Sequence, residues 1–225
     1  MSGLKKGFYE RQTNVFVAFI KQKWHNKLYA LQAKLKNNRR SKMNGKHMKF
    51  ENPIRLKELD PERTLKKIGL QENSVFCDIG AGSGIFTLPA AVLTRNRVYA
   101  LEISDEMIAI IKERASAMGL NNIETVQVNP DNFNVEDQCA DIALMVTVLH
   151  EIDNKSVFLN NVKKLLKNDG KAVVIEFHKK ATSLGPPEEH RIGRDDVLAE
   201  MNEAGFEVLE DFDLGENFYC MIFKC

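Results

Sequence analysis

Three glycines at alternate positions, Gly80, Gly82 and Gly84, lie between an apolar run typical of a strand and one typical of a helix. Glycine permits the positive φ angles of a tight turn and lets the backbone approach a ligand where a β-carbon would collide. The dinucleotide pattern GxGxxG is not matched, because the sixth position counted from Gly80 is Ile85. The sequence also lacks Gly-Lys followed by Ser or Thr, which excludes the phosphate-binding loop of nucleotide hydrolases.

Two carboxylates accompany this turn and indicate what it binds. Asp78 precedes the first glycine by two residues, where a negative charge repels a pyrophosphate and attracts an ammonium or sulfonium group. Glu102 ends the next apolar run, 22 residues beyond Gly80, where a carboxylate can accept hydrogen bonds from both hydroxyls of a ribose. Together these residues predict a site for a ribose-containing cation, and S-adenosylmethionine fits that description.

The elements that must position these residues follow one another as alternating strands and helices from about residue 51. Strands are predicted over 74–80, 97–103, 123–129, 140–149, 171–177, 207–214 and 217–224. The first five are apolar on both faces, which indicates a parallel sheet covered by helices on each side. The last two are joined by so short a turn that they must pair antiparallel. The predicted fold is therefore α/β, a doubly wound, mostly parallel seven-stranded sheet with an antiparallel last strand.

Local signals fix several predicted helix ends. Asp60 is predicted as an N-cap before Pro61, in a helix that ends at Gly69. Ser104 is predicted to cap the helix that follows the second strand. A further helix is predicted from residue 155 to Gly170.

Two segments resemble motifs of a known family. Residues 75–84, "VFCDIGAGSG", resemble the first motif of the class I S-adenosylmethionine-dependent methyltransferases, and residues 99–104, "YALEIS", resemble their second. The resemblance covers roughly residues 50–225 and is strongest to small bacterial and archaeal members related to the quinone-biosynthesis C-methyltransferases. It implies a Rossmann-like fold, S-adenosylmethionine as cofactor, and transfer of its methyl group to a small molecule.

The resemblance also implies roles for individual residues of the cofactor site. Asp78 and Gly80 would hold the methionine part, Gly82 and Gly84 would allow close backbone approach, Glu102 would bind the ribose, and Ile103 would pack on the adenine. The family usually has Gly-Asp-Ala after the third strand, but this chain has "NPDN" there, at residues 129–132. Asp131 or Asn132 could substitute for the missing aspartate, with ordinary turn chemistry as the equal alternative.

Residues at the carboxyl ends of the fourth and fifth strands are candidates for the reaction itself, because ligands of open α/β sheets bind at this edge. Thr147 is expected beside the cofactor, and His150 is the candidate general base, since its ordinary pKa lies near neutrality. A structural role for His150, as a helix cap or a hydrogen-bonding partner at the end of the sheet, remains the alternative.

A second group of polar residues could line the acceptor pocket. It comprises Glu176, His190 and Arg191, of which the arginine could bind an anionic substrate. The alternative is a structural cluster of ion pairs.

Composition sets the broad class. The 225 residues are 44% hydrophobic and 28% charged, as expected of a globular protein, and no apolar run approaches the roughly 20 residues that span a bilayer. The four cysteines lie far apart with no CxxC pair, so neither a metal site nor a disulfide framework is predicted. A cytoplasmic protein with reduced thiols is expected.

Charge divides the chain near residue 50. Residues 1–50 carry a net charge of +12, whereas residues 51–225 carry −11. Apolar residues at helical spacing predict a basic amphipathic helix over 13–36, followed by a polar linker. This first domain, residues 1–50, is interpreted as a lid or docking segment. The alternatives are a basic arm for RNA or an anionic membrane surface, and a segment before a natural start at Met43.

The sequence therefore predicts a methyltransferase of residues 51–225 that acts on a small molecule by in-line displacement. An RNA methyltransferase that uses the basic arm and a non-catalytic cofactor-binding protein are the alternatives. Amino-methylation of a base is disfavoured, because the place of the expected Asn/Asp-Pro-Pro-aromatic motif after the fourth strand is taken by "VTVLHEI".

Overall fold

The computed structural model describes residues 51–225, which form a single sheet with helices on both faces. The seven strands are β1 (Phe76–Ile79), β2 (Val98–Glu102), β3 (Ile123–Gln127), β4 (Ala140–Val146), β5 (Leu166–Phe177), β6 (Glu207–Leu214) and β7 (Phe218–Lys224). The six α-helices of this range are α1 (Pro53–Leu59), α2 (Pro61–Lys67), α3 (Thr87–Leu93), α4 (Asp105–Met118), α5 (Lys155–Leu165) and α6 (Arg194–Glu203).

The strand order is β3-β2-β1-β4-β5-β7-β6, and it confirms the predicted architecture. The five strands from β3 to β5 are parallel, whereas β7 pairs antiparallel with both β5 and β6. The chain turns back between β6 and β7 over only three residues, 215–217, which leaves no room for a parallel crossover.

The strand order reverses at β1, which lies between β2 and β4. Ile79, the last residue of β1, is in register with Leu101 on one side and with Met145 on the other. The carboxyl ends of these three strands therefore lie side by side. Ligands of open α/β sheets bind at such a reversal of strand order, so the sheet topology selects this edge before any side chain is considered.

Alternate residues of the strands face two separate apolar layers. Cys77 and Ile79 point into the layer that includes buried residues of α5 and α6, whereas Phe76 points into the layer that includes residues of α1, α2 and α3. Every residue of β1 and β2 is buried. Burial on both faces explains why these strands are nearly continuous apolar runs in the sequence.

Three local predictions differ from the structure. Helix α1 was not predicted, and Asp60 between α1 and α2 has a φ of +34° and makes no side-chain capping bond. The helix predicted to reach Gly170 ends at Leu165, because the next residues extend β5 and pair with β4 from Ala140 onward. In contrast, Ser104 does cap α4, since its hydroxyl accepts a hydrogen bond from the backbone N–H of Met107.

The predicted basic helix over 13–36 lies outside the described residues, and the division of the chain near residue 50 stays a prediction. Within residues 51–225, no helix is both long and apolar enough to cross a membrane. The expected cytoplasmic location likewise stays a prediction.

A buried asparagine joins α1 to the rest of the fold. The Asn217 side-chain amide donates to both carboxylate oxygens of Glu58, each at 2.9 Å, and its backbone N–H also donates to Glu58, at 3.1 Å. The side-chain amide oxygen of Asn217, Oδ1, accepts a hydrogen bond from the backbone N–H of Leu184. Helix α1, the β6–β7 turn and the loop after β5 therefore share one polar anchor.

We predict that Asn217→Ala lowers the free energy of unfolding by about 2–4 kcal/mol, because it removes the hydrogen bonds that the side-chain amide donates to Glu58 and leaves the backbone N–H of Leu184 without its acceptor. Chemical denaturation measures the change. Asn202→Ala is the matched control, since Asn202 is exposed on α6, and we expect a change within about 0.5 kcal/mol there. Equal effects of the two substitutions would contradict the anchoring role.

Candidate active site

The glycine turn after β1 has the conformation that its sequence predicts. Gly80, Gly82 and Gly84 all have positive φ angles, of 71°, 53° and 83°. A β-carbon at Gly80 would lie 2.5 Å from Cγ2 of Val148, which leaves no room for a side chain. At Gly82, however, the nearest such atom would be a backbone oxygen 4.0 Å away. Glycine is therefore needed at Gly80 because Val148 packs against it, whereas the backbone at Gly82 leaves space that a ligand could occupy.

The Glu102 carboxylate fastens this turn to the end of β2. One of its oxygens, Oε2, accepts a hydrogen bond from the backbone N–H of Gly82 at 2.7 Å. The other, Oε1, accepts from the backbone N–H groups of Ile103 and Ser104, at 2.9 and 3.0 Å. Because a carboxylate oxygen can accept two hydrogen bonds, Oε2 retains capacity for a ribose hydroxyl. Glu102 thus has a structural role in the turn, and its ribose-binding role stays a prediction.

The side chain of Ile103, next to Glu102, is apolar and 65% exposed. Large aliphatic side chains at the edge of a site offer a surface for a flat ring, and packing on adenine is the role that the resemblance implies for Ile103. Its exposure and its position beside the ribose-binding candidate fit that role.

Asp78 is buried at the end of β1, where its Oδ2 accepts a hydrogen bond from the hydroxyl of Thr87 at 2.6 Å. Burial, opposed by the hydrogen bond from Thr87 and helped by the charge of Glu102, raises the pKa of Asp78 to about 7. A cationic ligand beside this carboxyl group would favour its ionised form. Asp78 can therefore couple cofactor binding to its own loss of a proton.

Thr147 lies where the chain leaves β4, in a strained conformation. Its φ of +55° is rare for a β-branched residue, and such strain costs about 1–3 kcal/mol. The backbone N–H of Thr147 donates to Ile175 on β5 at 2.7 Å, and its hydroxyl accepts a hydrogen bond from Arg55 on α1 at 3.0 Å. Since Val148 packs against the position of Gly80, the structure places Thr147 next to the glycine turn. The expected place of Thr147 beside the cofactor stays a prediction.

The half-buried His150 and the buried Glu176 form a pair at the ends of β4 and β5. The His150 Nδ1 lies 2.8 Å from Oε2 of Glu176, and the backbone N–H of His150 donates to Oε1 at 3.2 Å. Burial alone would lower the pKa of His150, but the hydrogen bond and charge of Glu176, helped by Glu151 and opposed by Arg55, raise it above its ordinary value.

Glu176 was expected to line the acceptor pocket. Its side chain is instead only 1% exposed and is engaged with His150. Glu176 is therefore placed to orient His150 rather than to touch a substrate.

An open cavity of about 710 Å³ adjoins His150. Its wall carries side chains of both charges: His150, Glu151, Lys155, Lys179, Pro186, Glu189, His190, Arg191, Ile192, Asp196 and Glu200. The predicted pocket residues His190 and Arg191 are thus brought together with the candidate general base.

Arg191 is nevertheless occupied by the loop that carries it. Its guanidinium donates five hydrogen bonds, at 2.7–2.9 Å, to residues between His178 and Pro186, four of them to backbone carbonyls. This engagement favours the structural alternative for Arg191, namely that it holds the loop in place. His190 is exposed at the cavity rim.

Asp131 and Asn132 lie in a tight turn after β3. Their backbone N–H groups both donate to the side-chain oxygen of Asn129, at 3.0 and 2.9 Å. This is the turn chemistry that the sequence left open as the alternative, and both side chains are exposed. An adenine-binding role for either residue stays a prediction.

Two residues at this site were missed by sequence reasoning. Thr87 bonds Asp78, and Arg55 bonds Thr147, although neither belongs to a motif. The available signal for Arg55 was its spacing: it lies four residues before the buried Leu59, on the buried face of α1. A cation on the apolar face of a helix indicates a partner elsewhere in the fold.

Comparison with known proteins gives a match to the family model described as a methyltransferase domain, over residues 77–174. The chain is also 25% identical, over 124 residues, to the ubiquinone/menaquinone biosynthesis C-methyltransferase UbiE of Marinomonas sp. strain MWYL1. That alignment covers 54% of this chain and 49% of the relative, so the chain spans about half the length of the curated relatives it matches.

Among solved structures, a SAM-dependent methyltransferase from Aquifex aeolicus is similar, with a TM-score of 0.75 and 26% identity over 81% of this chain and 98% of that one. A SAM-dependent methyltransferase from Methanosarcina mazei has a TM-score of 0.59 and 18% identity, over 71% of this chain and 96% of the other. The second likeness concerns the fold alone.

We predict that affinity for S-adenosylhomocysteine rises about 10-fold between pH 6 and pH 8, because Asp78, with a pKa of about 7, ionises over this range and attracts the ammonium group. Isothermal titration calorimetry measures the affinity at each pH. Asp78→Asn should bind weakly and with little pH dependence. Asp169→Asn, at an exposed position near the other end of the sheet, should keep the wild-type profile. A pH-dependent Asp78→Asn variant would contradict the assignment.

We also predict that Gly80→Ala abolishes cofactor binding and destabilises the fold more than Gly119→Ala does. The two glycines have nearly equal φ angles, of 71° and 70°, but a β-carbon at Gly119 meets nothing within 4 Å. Gly119→Ala should cost about 1–2 kcal/mol from backbone strain alone, and the clash with Val148 should add about 1–3 kcal/mol at Gly80.

Thermal denaturation and calorimetry with S-adenosylhomocysteine check both effects of Gly80→Ala. Adding Val148→Ala to this variant removes the clashing methyl groups and should recover part of the stability. Equal stability and equal ligand affinity in the two single glycine variants would contradict the close packing of Val148 against Gly80.

Proposed function

We propose that the chain carries a class I S-adenosylmethionine-dependent methyltransferase domain and that it is an enzyme that methylates a small-molecule acceptor. The observation that carries the proposal is the arrangement at the carboxyl ends of β1 and β2. A buried carboxyl group, Asp78, and the fixed carboxylate of Glu102 flank a glycine turn that is open at Gly82.

The residues present fit S-adenosylmethionine. Asp78 suits the positive charge of the methionine part, Glu102 suits the ribose hydroxyls, and the exposed Ile103 suits the adenine. When bound, this cofactor supplies a methyl group on a positively charged sulfur. The protein's contribution to in-line displacement is alignment of the acceptor and exclusion of water.

His150 is the residue that we propose to take a proton from the acceptor. Because Glu176 holds Nδ1, the neutral imidazole carries its proton on that nitrogen and leaves Nε2 as the base. His150 also lines the cavity, so the base can reach a bound molecule. Glu176 then acts as a positioning residue that also raises the pKa of the base.

The cavity supports a small acceptor. Its volume of about 710 Å³ lies within the range of roughly 300–1,000 Å³ that is typical of small-molecule sites. Residues 51–225 carry a net charge of −11, which opposes binding of a polyanion by this part of the chain. The curated relatives are named as C-methyltransferases of quinone biosynthesis, so phenolic and quinol-type compounds are the first acceptors to test, with carbon as the acceptor atom.

We predict that, in a metabolite extract with methyl-labelled S-adenosylmethionine, the protein transfers label to a low-molecular-weight product. His150→Gln should bind S-adenosylhomocysteine as the wild type does but lose about 100- to 10,000-fold in kcat, because it lacks the base. Mass spectrometry of the products and calorimetry measure the two effects. Gly80→Ala, which we expect not to bind the cofactor, serves as the negative control.

The same assay tests the role of Glu176. Glu176→Gln should lower kcat and shift the acidic limb of the pH–rate profile to lower pH, since the His150 pKa falls when the neighbouring negative charge is removed. Label found in RNA and lost on removal of residues 1–42 would support the nucleic-acid alternative. Cofactor binding without transfer to any acceptor would support a binding protein.

A further inference from the structure

Two buried arginines lie over the ring of Phe177 at the end of β5. The guanidinium carbon of Arg191 is 5.5 Å from the ring centroid, and that of Arg55 is 5.6 Å from it. Arg55 also lies 5.3 Å from the ring of Phe218. The two side chains are 7% and 8% exposed, so both cations are largely removed from water.

The two arginines differ in how their donors are used. Arg191 donates five hydrogen bonds to its loop. Within residues 51–225, Arg55 donates one hydrogen bond, from Nη2 to the hydroxyl of Thr147, and forms no ion pair. Its Nε is fully buried with no hydrogen-bond partner.

An incompletely bonded buried cation is costly to a fold. A buried polar group without a partner costs about 1–3 kcal/mol, and more when it is charged. Burial lowers the pKa of Arg55 to about 10, although the charge of Glu176 opposes this shift. The aromatic rings pack against the face of the guanidinium, but they accept no hydrogen bond from the N–H donors in its plane. The donors of Arg55 therefore lack the acceptor that would offset their burial.

Arg55 also occupies a distinctive place in the site. Through Thr147 it contacts the end of β4 next to the glycine turn, and through Phe177 it contacts the end of β5 next to His150 and Glu176. A ligand reaching Arg55 therefore lies at the proposed centre of reaction. Helix α1, which carries Arg55, is fixed in position by the bonds between Glu58 and Asn217.

We propose that Arg55 binds a carboxylate of a ligand in the active site through its unused N–H donors. The planar guanidinium matches a carboxylate in charge and in the spacing of paired hydrogen bonds, as a lysine would not. This inference rests on the proposed function. The carboxylate belongs either to the methionine part of the cofactor or to the acceptor, and the experiment separates these two sources.

Calorimetry with three probes on folded full-length protein tests the proposal. S-adenosylhomocysteine carries the carboxylate, 5′-methylthioadenosine has the same nucleoside without it, and benzoate, added to protein saturated with S-adenosylhomocysteine, represents an acceptor carboxylate. The variants are Arg55→Met and Arg55→Lys, which keeps the charge but not the planar fork. Arg63→Met, at an exposed arginine on α2, is the matched control.

If the cofactor is the source, Arg55→Met weakens S-adenosylhomocysteine binding about 10- to 100-fold and leaves methylthioadenosine unchanged. If the acceptor is the source, both nucleosides bind normally and benzoate binding falls by a similar factor. Arg55→Lys should show the same pattern to a smaller degree, and Arg63→Met should match the wild type. Should Arg55→Met fail to fold, the Arg55→Lys variant decides between these outcomes.

Unchanged binding of all three probes in the Arg55 variants overturns the proposal, as does an equal loss for both nucleosides, which indicates general disruption. A wild type that binds S-adenosylhomocysteine no better than methylthioadenosine, and binds no benzoate, also overturns it. The proposed function fails separately, if the wild type binds neither nucleoside.

Discussion

The hydrogen bonds that the Glu102 carboxylate accepts are the interaction on which the rest of the site depends. They join the glycine turn after β1 to the first residues after β2, so that two loops from adjacent strands behave as one surface. Parallel register aligns the strand ends, and the Glu102 carboxylate, together with the backbone hydrogen bonds from Gly80 and Ala81 to Leu101, fixes the loops that leave them. The surface that we propose for ribose and adenine is therefore held in place by the protein's own hydrogen bonds.

Burial of charge at one edge of the sheet gives the site its chemistry. Asp78, Glu176 and Arg55 are all less than one-tenth exposed, within strand ends and a helix that contact one another. Desolvation raises the pKa of Asp78 and lowers that of Arg55, while Glu176 raises the pKa of His150. The surroundings of each group thereby make its charge more responsive to a bound ligand or to pH.

The sequence predicted much of the fold, because strands buried on both faces are continuous apolar runs and glycines mark the turns. It failed where tertiary contacts override a local signal. The helix after β4 was extended to Gly170, although pairing of Leu166 with Ala140 begins β5 earlier. Asp60 was predicted as a cap from its type and position, although its left-handed backbone points the side chain elsewhere.

By itself, the sequence determined the parallel character of the sheet, the glycine turn and the two carboxylates beside it, because these depend on patterns within short segments. The tertiary structure decided which polar residues act together. Glu176 pairs with His150. Arg191 donates its hydrogen bonds to its own loop, whereas Arg55 keeps a donor without an acceptor. Arg55 and Thr147, which share a hydrogen bond, are 92 positions apart. No local sequence pattern indicates which donors of a side chain remain without an acceptor in the folded protein.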